Sequence, residues 1–271
     1  LMIGNMFQQL YNMVDTIIVG RFVGAGALAA VGSTGTIMFL INGFILGMTA
    51  GFTVLTAQKF GAGDMKAMRK TVGNAAILAI IMSLIMTVLG MMAMKPLLGI
   101  MKTPDDIFKD AYAYVMIICG GIFAQALYNI LASILRALGN SKVPLYFLIL
   151  SAMLNIVLDL ALVYGIRMGI KGAAIATVIS QIVSGIGICI YTWMKMPELR
   201  FSLRPERIKE SQSVMGEVVR YSAASSIQQS VMNFGILMIQ GLVNSFGTAV
   251  MAAFAAAVKI DSFAYMPAQE F

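Results

Sequence analysis

The chain contains no histidine at all. That absence removes Ser-His-Asp and Cys-His nucleophilic catalysis, histidine metal sites and histidine proton relays together. Charge is nearly as scarce: 11% of the 271 residues are charged, 59% are hydrophobic, and the mean hydropathy is +0.87. A soluble domain carries about 25% charged residues, so this composition supplies no soluble surface and reads as an integral membrane protein. The two cysteines, Cys119 and Cys189, both fall in apolar runs. They read as small packing residues and not as a disulfide, and they say little about compartment. Period-two alternation is missing too, and the apolar segments run to about 20 residues, which selects helices over a barrel. No secretory leader is expected, because Leu1 already sits in an apolar segment. With no Met at position 1, the chain is expected to begin part-way into a longer protein.

What the chain does have is eight hydrophobic segments, at about 1–20, 34–57, 72–94, 111–134, 144–165, 171–194, 218–243 and 250–271. Each is expected to cross about 30 Å of hydrocarbon as a helix, the first looking clipped and the last cut by the chain end. The loops between them sort by charge. Even-numbered loops carry Lys59, Lys66, Arg69 and Lys70, then Arg136 and Lys142, then Lys195, Arg200, Arg204, Arg207, Lys209 and Arg220, or 12 of the 19 basic residues. Odd-numbered loops hold Arg21, Lys95, Lys102, Lys109, Arg167 and Lys171. This bias places the even loops and the N-terminus in the cytoplasm, and it accounts for the net charge of +7 without nucleic acid.

The stretch 195–217, with Pro197 and Pro205, is the longest polar one. It is expected to be a cytoplasmic linker carrying a short amphipathic surface helix. Six spans precede it, in residues 1–194, and two follow, in 218–271. Gln228-Gln229 followed by Asn233 echoes Gln8-Gln9 followed by Asn12, and Phe263 and Phe271 echo Phe44 and Phe52. The architecture implied is an all-α polytopic bundle: a six-helix N-lobe plus the first two helices of a pseudo-symmetric second lobe, with roughly four more spans in the whole protein.

Against this apolar background a few polar groups stand out. In QQLYNMVD, Gln8, Tyr11, Asn12 and Asp15 recur at helical spacing and form one polar stripe. The acids at membrane depth are Asp15, Asp159, Asp261 and Glu270. An ionisable group in a span is costly and is by default a pathway or coupling candidate. Asn155 and Asp159 are one helical turn apart in span five. Thr177 ends GAAIAT in span six, whose small residues let helices approach closely. Together Asp15, Asn155, Asp159 and Thr177 offer hard oxygens suited to a proton held between two carboxylates, or to a Na⁺. The plainer alternative is separate packing residues, each satisfied by a backbone or hydroxyl partner.

Glu270 follows Pro267, which frees a carbonyl and can kink a helix, so its carboxylate is a further candidate for lining a central cavity. Asp261 with Lys259 would instead mark the outer end of that span. Gly43, Gly47 and Gly51, spaced by four, read as a helix-packing ridge. Gly20, Gly24 and Gly26 follow a membrane helix and not a strand, so they make a poor phosphate loop. The 23 methionines would suit an adaptable lining without specifying one.

Taken in order, these motifs resemble the multidrug and toxic compound extrusion (MATE) transporters, and within them the DinF-like branch. The resemblance runs over all 271 residues. It rests on Tyr11-Asn12 with Asp15, Ala30-Val31-Gly32, AQKFGAGD (Ala57 to Asp64), RALGNSKVP (Arg136 to Pro144), LNIVLD (Leu154 to Asp159) and GIKGAAIAT (Gly169 to Thr177). It implies two six-helix lobes in a V, a central cavity opening alternately to each side, and antiport of cationic or amphipathic organic compounds against H⁺ or Na⁺ with no other cofactor. It implies a cation network on Asp15, Asn155, Asp159 and Thr177, with Tyr11, Asn12 and Asn129 as cavity lining. The expected setting is the plasma membrane, with the lipid bilayer and small organic cations as partners and a monomer at full length. Two departures matter. A proline common in the family's first span is missing from Leu1 to Val19, which speaks against a proline bend as the driver of switching. Gly235 stands where a simple offset puts the match to Asp15, so coupling is expected in the first lobe alone.

The function expected is therefore a secondary antiporter and not an enzyme. A flippase of lipid-linked saccharide on the same architecture would line its cavity with several Arg or Lys for pyrophosphate, and the spans offer almost none. A membrane acyl or prenyl transferase needs a clustered His/Asp or acidic metal motif, which does not occur. A passive channel needs repeated pore-lining polar rings.

Overall fold

In hydrocarbon every backbone N–H and C=O must find its partner within the segment, so long apolar stretches of this chain have helix as their outlet. The computed structural model describes residues 7, 14, 15, 17–100, 105–199 and 205–245, and among these there is no strand. We label the helical residues 14, 15 and 17–22 α1. Then follow α2 (Ala25–Gly61), α3 (Met65–Ile100), α4 (Asp105–Ala137) and α5 (Lys142–Asp159), which runs on as a π-turn, Leu160–Gly165. After these come α6 (Ile170–Lys195), a 3₁₀ turn (Pro197–Leu199) and α7 (Pro205–Ser245). Among the described residues, five stretches are long and apolar enough to cross a membrane: Ile41–Gly61, Met65–Gly99, Ile107–Ala137, Lys142–Gly165 and Ile170–Lys195. The chain is a multi-pass α-helical membrane protein; the segment expected at 250–271 lies outside the described residues.

The helices overrun the apolar segments because the connections are tighter than charge alone suggests. Between α1 and α2 only Val23 and Gly24 are non-helical, and Gly24 sits at φ 116, where a side chain is strained. AQKFGAGD closes α2 on Gly63 at φ 72, and Asp64 Oδ1 then accepts the Ala67 N–H at 2.9 Å to start α3. RALGNSKVP repeats the device: Gly139 sits at φ 83, and Asn140 Oδ1 accepts the Val143 N–H at 3.3 Å to start α5. Both motifs are stop-and-start signals between antiparallel helices. The polar 195–217 stretch contains the 3₁₀ turn and then α7, which starts on Pro205 and continues without a break through the apolar 218–243 segment.

Helix α4 packs on α2, α3 and α6, α5 packs on α6, and α7 lies along α2 and α3. Two apolar clusters fill the interior. One gathers Ile18, Val19, Val115, Val163 and Ile170; the other, nearer the basic loops, gathers Phe52, Leu55, Leu135, Ile188 and Val218. Small residues set the close approaches. A Cβ on Gly185 would lie 3.0 Å from Ala124 O, and Ala173, Ala174 and Ala176 of GAAIAT are fully buried.

The Gly43, Gly47, Gly51 ridge is the seat of α7. A Cβ on Gly47 would lie 2.7 Å from Ser226 Cα, one on Gly51 would lie 2.6 Å from Ser222 Cα, and Gly43 is filled by the Asn233 amide. Ser222, Ser226 and Asn233 are buried in this seam, and Lys59 Nζ meets Glu217 Oε2 at 3.5 Å at its basic end. Beyond Asn233 the described side chains of α7 open out: Phe234, Met238, Ile239 and Leu242 are all more than half exposed.

Candidate functional site

Three helices carry the polar oxygens to one depth. Asp15 lies seven residues before the end of α1 at 22, Asp159 six before the end of the π-turn at Gly165, and Thr177 seven after the start of α6 at Ile170. At 1.5 Å per residue each is about 10 Å from the same face of the bundle, the one opposite the basic loops. Asn155 sits one turn deeper on the Asp159 face of α5. Asn155 and Asp159 are fully buried and Thr177 nearly so.

The carboxyl groups of Asp15 and Asp159 lie against each other across the α1–α5 contact. Two carboxylates offer only acceptors, so a direct bond between them requires a shared proton or an intervening cation. The neighbours of Asn155 set its amide orientation, because the reverse arrangement turns its oxygen toward acceptors only. Its nitrogen then donates to Asp159 Oδ2 at 3.0 Å, and its oxygen accepts from Thr177 N at 3.2 Å and Thr177 Oγ1 at 3.3 Å. The Thr177 hydroxyl shares its single proton between that oxygen and Ala173 O, 3.0 Å away. Asp15 Oδ1 and Asp159 Oδ1 are buried with no hydrogen-bond partner among the described residues. Two unpartnered carboxyl oxygens beside an amide and a hydroxyl suit a proton or a hard monovalent cation. Among the described residues, three or more His, Cys, Asp or Glu nowhere gather as a multivalent metal site would require.

The structure thus brings together Asp15, Asn155, Asp159 and Thr177. Asn129 does not join them: it is half-buried on α4, eight residues from the end at Ala137 and so nearer the basic face. Tyr11, Asn12 and Glu270 lie outside the described residues. An apolar cavity of about 180 Å³ opens between α3, α4 and α6, with Val72, Ala79, Phe123, Ile130 and Trp193 in its wall. It shares no residue with the carboxyl pair. Two features of the site had no signal in the sequence: the π-turn that starts on the residue after Asp159, and the Phe22–Tyr164 ring pair beside it.

Fold and site together define a polytopic α-helical membrane protein with a carboxyl pair clamped between three helices. The MatE family model matches residues 1–161, more than half of the chain. The chain belongs to the MatE family. It is 32% identical to the probable multidrug resistance protein YpnP of Bacillus subtilis (strain 168) over 269 residues, covering 99% of this chain and 59% of that protein. Among solved structures it is similar to an outward-facing multidrug resistance MATE family transporter, with 26% identity, a TM-score of 0.89, and coverage of 99% of this chain and 59% of that one. Against an inward-facing conformation of such a transporter the identity is again 26% and the TM-score 0.76, with 96% and 59% covered. The chain therefore spans about 59% of the length of the relatives it matches.

Proposed function

We propose that this chain supplies the N-terminal lobe (residues 1–194), an inter-lobe linker and the start of the second lobe (218–271) of a secondary multidrug exporter. The exporter drives cationic or amphipathic organic compounds outward against H⁺ or Na⁺. The observation that carries the reading is the Asp15–Asp159 contact, with an orphaned oxygen on each carboxyl. An apolar chain gains nothing in stability from two acids pressed together, so coupling is the use that accounts for them. The four oxygens fit either ion, which would be held by Asp15 and Asp159 with Asn155 and Thr177 in support.

The protein's own groups supply the switch. With a bound cation, Asp15 on α1 and Asp159 on α5 hold together. Without one, like charges about 4 Å apart repel by about 4 kcal/mol at an effective dielectric near 20. That approaches the ~5.5 kcal/mol needed to move a two-state equilibrium from 1:99 to 99:1. Ion release therefore loosens α1 from the bundle and biases the lobe between its two access states. The basic loops are assigned to the cytoplasm. The glycine seam of α2 and α7 then lies toward the cytoplasmic side and the exposed α7 side chains beyond Asn233 toward the other, which suits an outward-facing state, as does the greater likeness to the outward-facing relative than to the inward-facing one.

The test is efflux from proteoliposomes of the full-length protein, energised in turn by a pH gradient and a Na⁺ gradient. Efflux should follow one gradient and vanish in Asp15→Asn. Full gradient-driven efflux by Asp15→Asn would sink the assignment.

A further inference from the structure

The π-turn has a geometric consequence for the α1–α5 contact. On α1, Phe22 follows Asp15 by seven residues, two helical turns, so the two share a face to within about 20°. On α5, Tyr164 follows Asp159 by five. In an uninterrupted α-helix at about 100° per residue, those side chains would point about 140° apart. The i→i+5 turn changes that. It begins at Leu160, directly after Asp159, and closes with Ile166 N–H to Ala161 O at 2.9 Å. Residues five apart then stack on one side. The outcome is visible in the rings: Phe22 and Tyr164 meet at 5.2 Å between centroids, tilted by 59°.

Helix α1 is thus held to α5 at two points, by carboxyls at the inner one and by aromatic rings at the outer one. Val163 is buried between these points in the cluster that contains Ile18 and Val19. The turn itself is braced. Met168 N–H donates to Leu162 O at 2.9 Å, a Cβ on Gly172 would lie 3.2 Å from that same oxygen, and the chain leaves through Arg167 at φ 59. A positive φ on a non-glycine residue is a strained choice, kept only where its surroundings demand it.

We propose that Phe22 and Tyr164 are positioning residues for ion coupling: the ring pair is the pivot that holds the outer end of α1 while the Asp15–Asp159 contact makes and breaks. This rests on the coupling role of that carboxyl pair. A two-point clamp needs one changeable contact and one permanent contact. The carboxyls respond to a cation; an aromatic pair does not. Without the pivot, release of the inner contact would free α1 altogether, and its return to Asp159 would lose the orientation that makes ion binding effective.

The test uses the full-length protein in proteoliposomes under whichever ion gradient drives it. In Tyr164→Ala the half-saturating ion concentration for efflux should rise about three- to tenfold, the worth of one aromatic pair, while the KM for substrate stays put. Tyr164→Phe should match the parent, because the ring and not the hydroxyl makes the contact. Unchanged ion dependence in Tyr164→Ala, or a Tyr164→Phe variant as impaired as Tyr164→Ala, overturns the proposal. Asp15→Asn, run in parallel, separates the two ideas. If it keeps gradient-driven efflux, the coupling reading itself falls; if it is dead while Tyr164→Ala is normal, only the pivot falls. Should Tyr164→Ala fail to fold, Tyr164→Leu gives a second measure: it keeps apolar bulk, loses the ring and should raise the half-saturating ion concentration in the same sense. A folded Tyr164→Leu variant with unchanged ion dependence overturns the pivot.

Discussion

Two helix seams in this chain solve the same packing problem by opposite means. The α2–α7 seam works by what its residues lack: Gly43, Gly47 and Gly51 remove side chains until the backbone of α2 meets Ser222 and Ser226 of α7 almost directly. The α1–α5–α6 seam works by what its residues carry, with Asn155 bonded to Asp159 and Thr177 and with Asp15 set against Asp159. The first is dispersion and shape, indifferent to ions and intolerant of one added methyl. The second gathers two acids in buried space, where a proton or cation between them would relieve their repulsion. One chain thus contains a contact that fits or fails and, on the coupling proposed above, a contact that an ion opens and closes.

The comparison is broken most severely by removing the charge. Asp159→Asn should lower gradient-driven efflux about a hundredfold or more, given the ~4 kcal/mol attributed to the bare pair, while downhill substrate exchange persists. Loss of both activities together would make Asp159 a structural residue. Next comes the glycine seam. Gly47→Leu drives a branched side chain into Ser226 and should cost about 1–3 kcal/mol or more of stability, read as a lowered unfolding midpoint in detergent. Gly235→Ala, where a Cβ meets nothing within 4 Å, should be neutral or slightly stabilising. Equal effects from the two would remove the special status of the ridge. A finer probe is Asn155→Ala, which withdraws the amide from Asp159 Oδ2 and should shift the half-saturating ion concentration about tenfold, the worth of a hydrogen bond to a charged group. The smallest effect belongs to the Lys59–Glu217 pair, which is partly exposed. Lys59→Ala should change stability by about 0–1 kcal/mol, with a loss that fades in high salt and is recovered by the charge-reversed double variant.

Much of this was legible in one dimension, for identifiable reasons. Asp15 and Asp159 stood out because a carboxyl in hydrocarbon is expensive wherever it sits, so composition alone marks it. Asn155 followed from one helical turn of spacing, and Gly43, Gly47 and Gly51 from a repeat of four. AQKFGAGD and RALGNSKVP could be read as motifs, and their work as capped turns became plain once Gly63 and Gly139 were seen at positive φ. Asn129 had no such anchor. A lone amide at helical spacing faces some neighbour, and which one depends on helix depth and rotation.

Membrane class, helical content and the identity of the costly polar groups can therefore be read from the chain alone, because burial energy per residue is a local quantity. Which groups meet is settled by packing. The pairing of Asp15 with Asp159 spans most of the lobe, and the face that Tyr164 shares with Asp159 depends on a π-turn in LALVYG, where no residue type announces an extra backbone step. The continuity of α7 from Pro205, and the choice of α2 as its seat, likewise follow from matching small-residue surfaces far apart in the chain. Contact partners are set by the balance over all packed helices, and no local window of sequence contains that balance.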